Sequence, residues 1–312
     1  SVEHNIVLRK IAMEKGLKLS EYGLFRGAKM IAGRTEEEIY KTLGMDWIAP
    51  ELRENQGEIE ASLNHNLPIL IDIQDIKGDL HVHESSNSIK ELAEEAIKMG
   101  YEYLGIADHT KYLTIEHGLN EKQLIARNKR IDELNQELKI KNCKLKILKG
   151  CEANILADGS IDIRDDVLAQ MDYVIAGIHS QMKMLKDQMT ERIIKAMRNP
   201  NVDIISHPTG RLLQQREEYQ IDFEKILQKT KETGVILEIN ASPYRMDLDG
   251  QNIRRAKKAG VKMIINTDAH RRDELKFMEL GVDQSRRGWA EKDDIINTQP
   301  LEKLLSFFKT KI

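Results

Sequence analysis

Cysteine is nearly missing from this sequence. Two thiols among 312 residues, Cys143 and Cys151, exclude a disulfide framework, and their spacing is not that of a CxxC pair. They read as free thiols in a reducing cytoplasm. Aromatic residues are scarce too, at 5%, which argues against a stacking platform for bare bases. No apolar run reaches the length of a membrane span, so no membrane partner is expected. No basic start followed by an apolar stretch marks a secretory leader, and a cytoplasmic location is expected. Charge of one sign does not dominate: 48 Lys+Arg stand against 51 Asp+Glu, a net −3. Composition therefore does not demand a polyanionic partner, although a local basic patch is compatible with a balanced total. What is present is an ordinary globular chain, 40% hydrophobic and 32% charged. It is long enough for one large core, or for a small domain beside a large one.

The first 76 residues differ in texture from the rest. Ile6, Leu8, Ile11 and Ala12 predict a short helix stopped by Gly16. Thr35 is a predicted N-cap, with Glu38 completing a capping box before Ile39 and Leu43. Pro50, Asn55, Gly57 and Pro68 punctuate the remainder of this segment. From Ile76 onward, short apolar runs alternate with amphipathic stretches. The predicted strands are 78–82, 103–107, 146–152, 173–178, 202–206, 235–239 and 262–267. Helices are predicted over 89–99, 121–138, 191–197, 223–233 and 252–259, with Gly100, Gly234 and Gly260 as stops. Seven strand–helix repeats argue for a parallel α/β sheet, and the count favours a closed barrel over an open sheet.

Seven of the nine histidines fall at or just after predicted strand ends: His81, His83, His109, His117, His179, His207 and His270. Glu152 and Asp268 do so as well. In a βα barrel those ends form the active-site face. Strand alternation puts His81 and His83 on one side, and Asp268 and His270 share the same i, i+2 relation. A single buried histidine is commonly a packed core residue. Six strand ends carrying ligand-type residues are hard to explain by packing alone. Imidazole and carboxylate donors suit Zn²⁺, Mn²⁺ or Fe²⁺. A carboxylate such as Glu152 can bridge two ions, and such pairs serve phosphoester hydrolysis. His117 reads as a loop residue, and His4 and His65 carry no assignment. Lys111, Arg245, Arg286 and Arg287 are equally readable as phosphate contacts or as surface salt bridges.

Several segments together resemble the PHP (polymerase and histidinol phosphatase) superfamily. They are Gly78-Asp79-Leu80-His81-Val82-His83, Ala107-Asp108-His109, Gly150-Cys151-Glu152, His179-Ser180, His207-Pro208-Thr209-Gly210-Arg211 and Thr267-Asp268-Ala269-His270. Met189-Thr190-Glu191-Arg192, Arg216-Glu217, Arg286-Arg287-Gly288-Trp289 and Asn297-Thr298 narrow the resemblance. It becomes that to the PHP domain ending bacterial and archaeal family X DNA polymerases. Residues 1–76, with Glu3-His4-Asn5 and the stretch Gly16–Phe25, resemble the end of that polymerase's thumb.

The resemblance implies a distorted (β/α)7 barrel over 77–312, preceded by a small mixed α/β thumb segment over 1–76. It implies divalent ions, Mn²⁺ or Zn²⁺. One would sit on His81, His83, Glu152 and Asp268, which would carry the catalysis, and a second on Glu152, His179 and His207. A third would use His109 and His270. Asp108 would hold an imidazole in its tautomer, and Arg211 would contact substrate phosphate. The implied activity is metal-dependent 3′→5′ exonuclease or related phosphoesterase action on DNA 3′ ends. Upstream polymerase domains would be partners. The sequence departs from the pattern in two ways. The palm carboxylates are not in it, so no nucleotide transfer is expected from this stretch. The Asp of a Ser-Asp-Gly turn after the HxH pair is also missing, and the third ion is left short of a ligand unless Glu84 substitutes. Rival readings are a small-molecule phosphatase of the histidinol-phosphate type, a TatD-like nuclease or amidohydrolase, and a catalytically silent scaffold.

Overall fold

A computed structural model describes residues 1–309 of the chain. Three buried apolar clusters organise it, one in the N-terminal unit and two in the barrel. The N-terminal one belongs to the first 60 or so residues. Helix α1 (Val2–Glu14) leads into an antiparallel meander of β1 (Lys18–Ser20), β2 (Gly23–Arg26) and β3 (Lys29–Ala32). Helices α2 (Glu36–Thr42) and α3 (Glu58–Leu63) come next. Thr35 caps α2 as predicted, its hydroxyl accepting from the Glu38 N–H. Glu38 does not return to Thr35 to close the box. Its carboxylate instead accepts from the Arg34 N–H at 3.1 Å, which ties the incoming turn to the helix.

The barrel begins at β4 (Gly78–Val82) and continues through β5 (Tyr103–Ile106), β6 (Lys146–Lys149), β7 (Glu152–Asn154), β8 (Ile175–Gly177), β9 (Ile204–Ile205), β10 (Ile236–Asn240) and β11 (Met263–Asn266). All pairings are parallel, in the orders β4-β5-β6 and β7-β8-β9-β10-β11. Bridges His109–Glu152 and Val82–Ala269 join the two sheets at both seams, so the strands close in a ring. Helices α4 (Ile89–Lys98), α5 (Glu121–Ile140), α6 (Asp165–Leu168), α7 (Lys186–Met197), α8 (Phe223–Thr233), α9 (Gly250–Ala259) and α10 (Met278–Arg287) succeed the strands in turn. α11 (Leu301–Lys309) ends the described chain.

The predicted strand 146–152 is broken into β6 and β7, which together occupy one of seven barrel positions. Its break lies at Gly150-Cys151, where the Tyr173 ring leaves no room for a side chain on Gly150. That ring enters the barrel and its hydroxyl donates to the Leu80 carbonyl at 2.6 Å. A Cβ on Gly105 or Gly150 would come within 2.2 Å of it. Inside the barrel, Leu80, Leu148, Tyr173, Ile175, Ile204, Ile236 and Ile264 form an apolar lower plug, completed by Ile296, Leu304 and Phe308. Outward residues such as Leu237, Ile239 and Ile265 pack against the helices. The interior turns polar towards the C-terminal strand ends. On β4 a register irregularity between Asp79 and Val82 re-aims the strand, so that His81 points inward directly above Leu80.

The two units meet along a polar seam. Arg286 Nε lies 2.6 Å from Glu51 and Arg287 pairs with Glu54. Arg254 lies 4.0 Å over the Trp289 ring and donates to the Gln56 carbonyl. Arg286 and Arg287 therefore join the two units. Lys111 is paired with Glu121 at 2.6 Å.

Candidate metal centre

The strand ends deliver their polar side chains to a single mouth. Glu152, with no exposed surface, is its hub. Its Oε1 lies 3.2 Å from His179 Nε2 and 3.0 Å from His207 Nε2. It also accepts from the Ser206 hydroxyl at 2.8 Å. Its Oε2 faces another set: His109 Nδ1 at 2.7 Å, His81 Nε2 at 3.3 Å and His83 Nε2 at 3.9 Å. Asp268 Oδ1 closes that side, 3.1 Å from His83 Nε2 and 3.5 Å from His81 Nε2. His270 and His109 both lie against His83, ring centres 4.2 and 4.4 Å away, and are 5.7 Å from each other. The chain thus brings together His81, His83, His109, Glu152, His179, His207, Asp268 and His270.

Three triads have donor atoms close enough to share an ion: His81–His83–Asp268, His109–Glu152–His179 and His83–His109–His270. The last has no carboxylate. His109 sits nearer Glu152 than the third-ion grouping implies.

The donors converge without satisfying one another. Nine buried side-chain polar atoms lack a hydrogen-bond partner among the described residues, and five belong to this cluster: His81 Nε2, His83 Nδ1, His109 Nδ1, Glu152 Oε2 and His207 Nδ1. Leaving one such atom unpaired costs about 1–3 kcal/mol, and His81 Nε2, His109 Nδ1 and Glu152 Oε2 face one another across the mouth, so an absent partner is called for. A divalent cation fits that donor set, because imidazole lone pairs and carboxylate oxygens both aim at a common space.

The electrostatics agree. Burial works against charge on His81, but Glu238, Glu152 and Asp268 outweigh it and raise its pKa well above the ordinary imidazole value. The same field favours a metal ion in place of that proton. Burial also opposes ionisation of Glu152 and Asp268. Nearby imidazoles still hold both well below the carboxylate range. Burial and the neighbouring His109 push His83 far down, and burial with Arg245 lowers His207 to about 4. These two rings are neutral near pH 7 and present lone pairs.

Behind the cluster stand groups that fix ring orientation. Glu238 Oε1 lies 2.6 Å from His81 Nδ1, Asn154 Oδ1 lies 2.7 Å from His179 Nδ1, and the Asp268 carbonyl lies 3.0 Å from His270 Nδ1. The sequence reading missed Glu238 and Asn154 in this role. A lone acid inside the apolar strand Ile236–Ile239 was the available signal. Asn240 donates to Asp268 at 3.0 Å and so stands at the site as well.

Two expected roles are corrected. Asp108 holds no imidazole. It accepts from the Glu84 N–H at 2.6 Å and pairs with the buried Arg127 at 3.0 Å. Arg211 spends its fork on the carbonyls of Arg245 and Met246, so it braces that loop rather than facing the mouth. The arginine that reaches the cluster is Arg245, with Nε 3.4 Å from Asp268 Oδ2. Glu84 is likewise engaged elsewhere, both its oxygens bonded to Arg130 at 2.9 and 2.6 Å.

Glu84, Arg130 and the exposed His117 line an open cavity of ≈ 490 Å³ that abuts His83, His109 and His270. A larger groove of ≈ 600 Å³ lies in the N-terminal unit. No triad of metal-binding groups touches it among the described residues.

A parallel barrel whose mouth gathers imidazoles around a shared carboxylate is the architecture of a metal-binding hydrolase. The PHP domain model matches residues 79–242, and the DNA polymerase beta thumb model matches residues 1–54. The chain belongs to the PHP family, and the stretch before its barrel is similar to the DNA polymerase beta thumb. It is 40% identical over 315 residues to the DNA polymerase/3′-5′ exonuclease PolX of Bacillus subtilis (strain 168), covering 99% of this chain and 54% of that protein. The chain thus spans about half the length of that relative. It is 30% identical over 248 residues to a "probable phosphatase" of Thermoanaerobacter sp. (strain X514), covering 75% of this chain and 94% of that one. The solved histidinol phosphate phosphatase of Lactococcus lactis, complexed with zinc, L-histidinol and phosphate, aligns over 69% of this chain and 95% of its own. The TM-score is 0.47 and the identity 18%. No helix among the described residues is long and apolar enough to cross a membrane.

Proposed function

We propose that this chain is a metal-dependent phosphodiesterase that removes nucleotides from DNA 3′ ends, as the PHP part of a cytoplasmic family X repair polymerase. Residues 1–76 act in it as the end of the thumb. The observation that carries the reading is the convergence of unsatisfied donors on Glu152. One of its oxygens faces His179 and His207, the other His81, His83 and His109. This is the arrangement of a bridging carboxylate between two ion positions. His81, His83, Glu152 and Asp268 would hold one ion, and Glu152, His179 and His207 the other. For a third, His109 and His270 would have His83, with Glu152 already facing the first two positions and Glu84 bonded to Arg130. Mn²⁺ and Zn²⁺ both suit these donors. Ions bound there would supply Lewis acidity and an activated water.

The protein's own groups do the rest. Glu238 and Asn154 fix the rings of His81 and His179. Arg245, at the edge of the cluster, offers a guanidinium to a phosphate oxygen. Hydrolysis would cleave the bond between phosphorus and O3′ of the penultimate sugar. The last nucleotide leaves as a 5′-monophosphate, and a proton goes to O3′.

A 5′-labelled oligonucleotide tests the reading. With Mn²⁺ it should shorten stepwise, and EDTA or Glu152→Gln should abolish the ladder. A strand left intact under Mn²⁺ and Zn²⁺ alike would overturn it. The second reading, a small-molecule phosphatase, is favoured by the "probable phosphatase" name of the relative that matches the barrel nearly end to end. Turnover of histidinol phosphate with no DNA cleavage would establish it.

A further inference from the structure

Of the seven large exposed apolar side chains described in the barrel, Ile97 and Ile140 stand on α4 and α5, and the other five follow strands. Tyr112 and Ile115 come after β5, Leu185 after β8, Leu213 after β9 and Tyr244 after β10. These five stand on loops leaving the C-terminal strand ends, around the cluster. The composition argued against base stacking because aromatics are few, yet two of the eight tyrosines are spent here in water.

Tyr244 is the clearest case. Its ring is 64% exposed. It precedes Arg245, whose guanidinium touches Asp268. Its carbonyl accepts from the Leu213 N–H at 2.8 Å, which joins the β9 and β10 loops into one ledge. Tyr112, 48% exposed, lies three residues past His109. In the ring order of the strands β5 and β10 stand on opposite sides of the mouth. Lys183, between β8 and α7, and Arg272, in the helical turn after β11, are exposed cations that follow the same strand ends.

We infer that this rim is a clamp for a single-stranded 3′ end. Tyr244, backed by Leu213, stacks on the base of the nucleotide whose phosphate meets the cluster. Tyr112 receives a base across the mouth. The phosphates of the strand complement Lys183 and Arg272. A tyrosine face accepts any base, so the clamp is tolerant of sequence. It requires the end to be unpaired, since a base inside a duplex has no free face to offer. This inference rests on the exonuclease reading for its substrate, but its test does not depend on cleavage.

The probe is an oligonucleotide with 2-aminopurine as its 3′-terminal base, titrated with the full chain in Ca²⁺. Stacking on Tyr244 should quench the fluorescence. Tyr244→Ala should remove the quench and weaken binding about 10-fold, in keeping with the loss of one base–aromatic stack. Tyr244→Phe should retain both, and a fully paired end should quench far less. With Mn²⁺, Tyr244→Ala should raise KM for a single strand and leave kcat near that of the unsubstituted chain. An unchanged quench in Tyr244→Ala, an equal quench with paired ends, or no binding of the strand would each overturn the clamp. A normal quench without any cleavage by the unsubstituted chain would support the clamp and refute the exonuclease reading.

Discussion

Replacing Glu238 by glutamine removes one charge and almost no volume, yet four donors converge on that buried carboxylate. Its Oε1 takes His81 Nδ1 at 2.6 Å and Asn266 Nδ2 at 3.0 Å. Its Oε2 takes the His207 N–H at 2.8 Å and Asn240 Nδ2 at 3.1 Å. A glutamine has one accepting oxygen and one amide nitrogen, so in either orientation two donors face an NH₂ group. Each stranded donor costs about 1–3 kcal/mol, and a destabilisation of about 2–6 kcal/mol is expected. Where the amide nitrogen faces His81, the ring escapes by moving its proton to Nε2, the atom that points into the cluster. Metal affinity should then fall about 10- to 100-fold. Urea unfolding followed by circular dichroism measures the first effect, and calorimetric titration with Mn²⁺ the second. Glu238→Gln with unchanged unfolding midpoint and unchanged Mn²⁺ affinity would refute the reasoning.

Arg127 is buried beside Asp108, and Arg127→Met leaves that acid without its cation. A loss of about 3–5 kcal/mol is expected in chemical denaturation, and a loss under about 1 kcal/mol would contradict it. Glu36 is held down to about 2 by its bond to Arg53, from an ordinary 4.5. Its contribution is complete above pH 4.5 and is lost as the pH falls through 2. Because the pair is largely exposed the effect is small, under about 1 kcal/mol. Glu36→Gln should flatten the acid limb of the stability profile over that window only. Arg286→Ala breaks the seam to Glu51. Limited proteolysis should then cut faster between the two units, while the melting of the barrel stays put.

The sequence carried the barrel in its punctuation. Gly100, Gly234 and Gly260 all adopt positive φ at helix ends, and the seven apolar runs all became barrel positions. The break in the third run was hidden, because the Tyr173 ring that crowds Gly150 comes from the next strand segment. The cluster was legible from residue type and place, since ligand-type side chains at six strand ends have few other uses. What supports the cluster was not. Glu238 reaches His81, 157 residues away in the chain, and Asn154 reaches His179, 25 residues away. A lone acid in an apolar strand marks Glu238 but not its partner, and nothing local marks Asn154. Arg211 was misread for a related reason: closeness to His207 in the chain did not reveal that its side chain turns towards the carbonyls of Arg245 and Met246.

The central claim is that distant imidazoles and acids form one cage for divalent cations. Anomalous diffraction from crystals grown with Mn²⁺ tests it most directly. Two peaks flanking Glu152 are expected, one against His81, His83 and Asp268 and the other against His179 and His207. A mouth without anomalous signal at saturating Mn²⁺ or Zn²⁺, or ions bound only elsewhere on the chain, would contradict the account.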